Sequence, residues 1–559
     1  MKIALVSIDP IVLGCARPTR SLGTYQLSTY ARTDPGIRSA CAIEIHDWVL
    51  PNFGGRSGPC AETRRLASIL ADGAFDLVGF STKIWNFHHV RNLARLVKAA
   101  RPSTAVLAGG YQVMGRRFPS LMLAEGEPFD FLITGEGEVP FARLLRALLA
   151  GTPLDACPAL WRRRPGGTAA LTGPAVKTDL AGMPSTFDEV GDGEDFSGRL
   201  VILEASRGCP YACHFCEWAV TPLQIVPLER VFWEIDHVMS RGGNKIFFAD
   251  GTFNLDRTRR FHPIVQHLID RLEHYTERFG PRFKREARIG LELRPELISE
   301  RCAELLEELA RRSDETFYEF GLQTTGEEAG RLSARPYDEG KWASAMGRLG
   351  PVSRSRAAID VIPDLPGNTL AAIADSHRVA IRIGAGVGNW RLLVLPGTEL
   401  ESAAEELGIA FDPWPPHHAS RWLDRSPAEV RKLVAFGFLC DLMTRVFFDL
   451  WRLLENTPPG DLHFASVMLG FDRWLEKRGL ASRVHEPLAV LSTIYDREAS
   501  GEYAAHRDAV LRQLPEHFAE FAGGEDFYGT AAVPPETRQA VSAYLVSHSW
   551  FAAQASVSA

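Results

Sequence analysis

The sequence predicts an α/β chain in three parts: a doubly wound parallel sheet at the N-terminus, a partial (β/α)6 barrel in the middle and a mainly helical C-terminal region. Three observations carry this. Short β-rich runs alternate with amphipathic helical stretches before residue 150, and again between about 199 and 405. After about residue 405 the alternation gives way to helical spacing. A chain of 559 residues is also too long for one hydrophobic core.

In the first 150 residues, KIALVSI (2–8), AIEIHDW (42–48), DLVGFST (76–82), TAVLAGG (104–110) and FDFLITGEGE (129–138) read as strands, the last two ending in Gly-rich turns. HHVRNLARLVKAARP (88–102) reads as a helix that stops at Pro102. Ligands of such sheets bind at the carboxyl ends of the strands. Residues 151–198, rich in Pro, Gly and Asp, read as a linker with some local structure. In the second series, 199–405, the candidate strands are 199–206, 245–250, 288–294, 317–324, 357–363 and NWRLLVLP (389–396). Six such units fit a partial barrel with its active site at the carboxyl strand ends. In the third part, 406–559, a Pro- and aromatic-rich loop (411–422) precedes a long helix (429–457) and further helical chain. The pair His417 and His418 reads there as part of a surface loop, ahead of a substrate-facing role.

Composition narrows the function. Hydrophobic residues are 45% and charged residues 23%, as in ordinary globular proteins. The net charge is −7 with no basic block, so nucleic acid is not an expected partner. No apolar run reaches a membrane span, and Asp9 and Pro10 end the first apolar run too early for a signal peptide. Nine cysteines, three within eight residues and six scattered, make no disulfide framework. The expected setting is a reducing cytoplasm.

The clustered three, Cys209, Cys213 and Cys216, have C-x3-C-x2-C spacing after a β-rich run and a Ser-Arg-Gly turn. Thiolates are soft ligands suited to iron–sulfur clusters. Three of them can hold three irons of a cubane and leave the fourth open. A structural zinc site, which His214 could complete as fourth ligand, is the weaker reading, because the barrel-like pattern downstream fits a cluster.

This loop, with Phe215 before its last cysteine, resembles that of radical S-adenosylmethionine (SAM) enzymes. Phe248–Phe253, Leu291–Pro295, Gly321–Thr325 and Leu393–Glu399 resemble that family's later strand-end motifs in order. The resemblance implies that the cysteines bind a 4Fe–4S cluster and act catalytically, and that Phe215, Asp250, Glu292, Arg294, Gln323 and Leu395 contact SAM. Thr324-Thr325 and Pro363 depart from the family pattern near SAM, and a displaced SAM would favour chemistry other than standard reductive cleavage. Tyr211 and Trp218 flank the loop, either packing on SAM or serving the core.

The N-terminal pattern resembles the cobalamin-binding domain that precedes many radical SAM cores. The pieces are Ser21, Leu22, Gly23 and Tyr25; Ser81, Thr82, Lys83 and Trp85; Gly109, Gly110, Tyr111 and Gln112; and Gly135, Glu136 and Gly137. An Asp-x-His-x-x-Gly motif is absent from the sequence, so no histidine is expected on cobalt. The loop Thr82–Trp85 is expected beneath the corrin, with core packing as the competing reading of Trp85. Together the two resemblances imply a cobalamin-dependent class B radical SAM C-methyltransferase, with the tryptophan 2-C-methyltransferase as one subtype. Its substrate would be a small molecule or peptide, with an electron donor if radical chemistry is used. A non-methylating rearrangement or cyclisation is the alternative.

Overall fold

A computed structural model describes residues 1–491 apart from 11, 13–14, 52–53, 165–166, 189–192, 256–258, 423–424 and 457–461, and beyond them 514, 516–528 and 534–548. The helical expectation for 457–461, 492–513, 515, 529–533 and 549–559 lies outside the described residues.

The first sheet is built from β1 (Lys2–Asp9), β2 (Ala42–Val49), β3 (Leu77–Ser81), β4 (Ala105–Gly109), β5 (Phe131–Ile133), β6 (Leu160–Arg163) and β7 (Ala169–Leu171), in the order β2-β1-β3-β4-β5-β6-β7. The first five pair in parallel and the last two antiparallel. β1 is buried along nearly its whole length, as expected of a strand covered on both faces. Two apolar cores, one on Ala4, Val6 and Val78, the other on Ile3, Leu5 and Leu77, occupy the opposite faces. The stretch 151–198, read as a linker, therefore supplies two strands of this sheet. Glu138, read as the end of a strand, instead opens the helix Glu138–Ala150.

The second sheet uses β8 (Leu200–Leu203), β11 (Lys245–Phe248), β12 (Arg288–Leu293), β13 (Phe317–Gln323), β14 (Ala357–Val361) and β15 (Gly386–Asn389), all parallel and in sequence order, an open barrel wall. A short antiparallel pair, β9 (Ser206–Arg207) and β10 (Gln224–Ile225), brackets the cysteine loop. Helices cover the outside. Glu300–Arg312 shows why they form: Ser299 caps Cys302 N, and Cys302, Leu305, Leu306 and Leu309 make one apolar stripe facing the core.

The sixth strand differs from the sequence reading. It is Gly386–Asn389, whereas residues 390–396 leave the sheet; Val394 N donates to His417 O, and Ala419 N to Leu392 O. The helix read as 429–457 is two, Pro427–Val446 and Phe448–Glu455, parted at Phe447. They pack with Phe464–Lys477 around a fourth core that includes Trp422, Trp451 and Phe471.

Candidate active site

A cavity of about 240 Å3 opens at the carboxyl end of the second sheet. One wall is the cysteine loop: Cys209, Cys213, Cys216, Phe215, Tyr211 and Trp218 all line it. The three thiols are free. Burial, with Cys213 and Cys209 alongside, pushes the Cys216 thiol up to about 12. The loop is pinned from outside: His214 N donates to Ser333 O, its Nδ1 lies 2.9 Å from Leu332 O, and Leu400 N donates to its carbonyl. His214 does not line the cavity. Among the described residues no three His, Cys, Asp or Glu side chains converge on a single ion. The donor set fits a multi-iron cluster with an open position, and not one closed zinc site.

The floor comes from the strand ends. Glu292 of β12 and Glu319 of β13 are Cα partners across the sheet, and Asp360 of β14 stands beside Gly321. All three carboxyls are raised: Glu292 well above the carboxylate range, first by burial and then by Glu319, and Asp360 to about 7 by burial and Glu319. Arg294 and Arg335 line the same cavity. The Arg294 guanidinium lies 3.7 Å over the Tyr211 ring, and Trp390 Nε1 donates to Asp360 at 2.7 Å. Gln323 enters the lining through a register shift, in the left-handed region (φ 70°), and a Cβ on Gly321 would meet its side-chain nitrogen at 2.7 Å. Such a lining, with acids, guanidiniums and aromatic faces together, suits a zwitterionic ligand that carries an extra positive charge.

Glu292, Arg294, Gln323 and Phe215, expected to contact SAM, all line this cavity. Asp250 and Leu395 do not line the cavity. Asp250 is buried beneath it, accepting from Ala205 N and from Ser206 Oγ at 2.5 Å, and so braces the strand that launches the cysteine loop; burial pushes it up to about 7. Leu395 directs its carbonyl to Thr398. Sequence reasoning missed Glu319, Asp360, Arg335 and Trp390 as site residues. For Glu319 a signal exists, a lone Glu among apolar strand residues in FYEFG that repeats the pattern of LEL.

The first sheet presents a second set at its own carboxyl edge. Its order 2-1-3-4-5 places the topological switch point, where ligands of such sheets bind, between β1 and β3. Asp9 ends β1 there, and Lys83 and Trp85 follow β3. Lys83 Nζ lies 2.7 Å from Asp9 Oδ1, Trp85 Nε1 donates to the same oxygen at 3.2 Å, and Nζ sits 5.1 Å over the Trp85 ring. Burial would raise the Asp9 carboxyl, yet Lys83 holds it below its ordinary value. Trp85 is half-buried and belongs to neither apolar core of this sheet. Thr82 N and Oγ1 both donate to Gly109 O at 2.7 Å, which fixes the two loops to each other. Gly110 is left-handed (φ 104°) and a Cβ there would strike Thr82 O at 2.7 Å.

Other residues expected at this edge are engaged elsewhere. Tyr25 donates to Asp47 and carries the Arg20 guanidinium on its ring, bracing the helix Leu22–Ala31 that Ser21 precedes; Leu22 opens this helix, and Gly23 beside it has open space around its Cα. Glu136 accepts from Thr178 N, Gln224 Nε2 and Arg207 Nη1, and Arg207 also pairs with Glu138 and Glu204. This buried, fully paired guanidinium joins the first sheet to the start of the cysteine loop. Gly135 N donates to Met114 Sδ, and a Cβ on Gly137 would press on Leu27. His417 is buried, not in a surface loop, and holds Gln112. Tyr111 meets Trp218 of the cysteine loop edge-on at 5.3 Å, so the two strand-edge sites are neighbours.

Comparison with known proteins agrees with this division. Residues 52–145 match the B12 binding domain and residues 203–380 the radical SAM superfamily. The cobalamin-dependent radical SAM methyltransferase TokK of Streptomyces tokunonensis is 32% identical over 244 residues, 41% of this chain and 33% of TokK. The match thus spans about a third of the length of that curated relative. The fold is similar to that of the cobalamin-dependent S-adenosylmethionine radical enzyme OxsB with aqua-cobalamin bound, at TM-score 0.58 and 14% identity, covering 100% of this chain and 80% of OxsB. It is also similar to the radical S-adenosylmethionine methyltransferase TsrM of Kitasatospora setae, with cobalamin and a 4Fe–4S cluster bound, at TM-score 0.53 and 17% identity, covering 77% of this chain and 80% of TsrM. Among the described residues no helix is long and apolar enough to cross a membrane.

Proposed function

We propose that this chain, a member of the radical SAM superfamily with a B12-binding domain ahead of its radical SAM domain, is a methyltransferase that moves a methyl group from SAM, by way of cobalamin, to a substrate carbon. One observation carries the reading most directly: the Tyr111–Trp218 contact, which brings the carboxyl edge of the first sheet beside the loop that carries the three free thiols of the second. A bound cobalamin would supply a carrier for the methyl group, and a bound cluster would supply an anchor for SAM and an electron. The residues do the rest. Cys209, Cys213 and Cys216 would hold the cluster and leave one iron open. The raised carboxyls of Glu292, Glu319 and Asp360 would face the amino and sulfonium groups of SAM, with Arg294 and Arg335 for its carboxylate.

Lys83 and Trp85, tied to Asp9, would fill the space beneath the corrin and keep water from that face. The two histidines nearest this loop are committed: His88 Nε2 lies 2.9 Å from Pro415 O and His89 Nε2 3.0 Å from Pro51 O. A lower face without histidine is the arrangement these contacts favour. The substrate is then a small molecule or peptide entering past Trp390, which is 50% exposed at the cavity mouth. TsrM has been solved with a tryptophan substrate, which makes an indole carbon the first acceptor to test.

The test is incubation of the reconstituted, reduced protein with methyl-deuterated SAM, hydroxocobalamin and tryptophan or tryptophan-containing peptides, followed by mass spectrometry. Label in the substrate is expected. A rearranged or cyclised product without label would replace methylation by the alternative chemistry.

A further inference from the structure

The turn Tyr111–Val113 follows β4 at the edge of the first sheet and points its side chains two ways. Tyr111 reaches the cysteine loop at Trp218. Gln112 reaches the opposite way, into a strap that leaves the barrel after residue 409 and crosses back over the first domain. Gln112 Nε2 lies 2.6 Å from His417 Nε2 in a buried contact. His417 Nδ1 lies 3.1 Å from Asp412 O. A carbonyl only accepts, so Nδ1 carries the proton and Nε2 accepts from the Gln112 amide. His417 stands in the left-handed region (φ 61°), which aims its ring at Gln112 and not outward.

The strap is anchored on both sides of this pair. Trp414 stacks on Phe87 (5.7 Å, 24°), Arg91 lies 4.4 Å over Trp414, and Phe118 meets His417 edge-on at 5.1 Å. The chain just past the turn is wedged against the barrel's last turn, where a Cβ on Gly115 would come within 2.9 Å of Gly397 N. Meanwhile Gln112 N and Gly110 both abut Thr82 O, in the loop before Lys83. One three-residue turn therefore touches the cysteine loop, the strap and the switch-point loop together.

We infer that His417 is a positioning residue for the corrin site, holding Gln112 and through it the Gly109–Gln112 edge against Thr82–Trp85. The inference rests on the reading that the first domain binds cobalamin. One buried neutral hydrogen bond contributes about 0.5–1.5 kcal/mol net, which in affinity is up to about tenfold. Full-length protein reconstituted with iron and sulfide is titrated with hydroxocobalamin, read by its absorbance, with iron content and thermal unfolding of the corrin-free protein as controls. His417→Ala should weaken hydroxocobalamin binding by about tenfold with iron content unchanged, and His417→Gln, which can still accept from Gln112, should restore most of it. Gln112→Leu should weaken binding to a similar degree, and the Gln112→Leu, His417→Ala double variant should be no weaker than either single one, since each acts through the other.

Wild-type affinity in a folded His417→Ala protein overturns the inference, as do fully additive losses in the double variant. If His417→Ala does not fold, Gln112→Leu and His417→Gln decide: loss in the first with retention in the second supports the inference, and any other pair of results overturns it. A wild-type protein that takes up no hydroxocobalamin overturns the functional reading itself, an outcome distinct from all of these.

Discussion

Asp9 in the sequence is an acid after seven strand residues, and it reads as the end of a run. Its meaning depends on Lys83, 74 positions away, and only the parallel pairing of β1 with β3 brings the two together. The cysteines, by contrast, are legible because their ligand geometry is local to one loop. Asp250 sits between these cases: its motif is readable, yet its carboxyl turns inward to Ala205 and Ser206, a direction that strand spacing alone does not settle. Asp9→Asn keeps the shape but leaves Lys83 half-buried without its counter-charge, so it should cost about 1–3 kcal/mol and alter the absorption spectrum of bound hydroxocobalamin. Denaturant unfolding and a corrin titration check both; an unchanged spectrum would remove Lys83 and Trp85 from the corrin face. His417 offers a pH test. Burial lowers it from its ordinary 6.5 to about 4. Between those values the unfolded chain takes up a proton that the folded chain excludes, so this contribution to stability is full above about pH 6.5 and lost as pH falls toward 4. His417→Gln should flatten that part of the unfolding midpoint against pH, and an unaltered slope would count against the buried neutral imidazole.

At the scale of elements, five of the six barrel strands are readable because strands buried on both faces are apolar runs bounded by turn residues. The sixth misleads for a physical reason. NWRLLVLP is an apolar run closed by Pro396, but its backbone pairs with the strap at His417 and Ala419, while the true edge strand, Gly386–Asn389, looks like a glycine turn. Likewise, β6 and β7 hide in a Pro- and Gly-rich stretch because they are short antiparallel strands at one end of the sheet. The break at Phe447 carries no Pro or Gly signal; the packing of Trp451 and Phe447 against Phe518 accompanies it. The glycine turn after β4 is tightly specified. Gly110→Ala must place a Cβ against Thr82 O in a left-handed conformation, which should destabilise the first domain by roughly 1–3 kcal/mol and lower its hydroxocobalamin content. Equal stability and equal corrin content in this variant would show that the edge is looser than its contacts imply.

For the whole molecule, the sequence shows two α/β units and a cysteine loop, but not how the units meet. That depends on residues from distant stretches: Arg207 among Glu136, Glu138 and Glu204, Tyr111 on Trp218, and the strap over helix Phe87–Ala100. Such contacts leave no periodicity to read. They matter to the proposed function, in which a methyl carrier held on one sheet would have to face a methyl donor held on the other. The direct test uses the protein reconstituted with iron, sulfide and hydroxocobalamin, reduced, and incubated with methyl-deuterated SAM without substrate, with the corrin then released for mass spectrometry. The account predicts deuterated methyl on the corrin from the wild-type protein and none from the C209A/C213A/C216A protein, which should also lose its cluster iron. A wild-type protein that holds both cluster and corrin yet leaves the corrin unlabelled would contradict it.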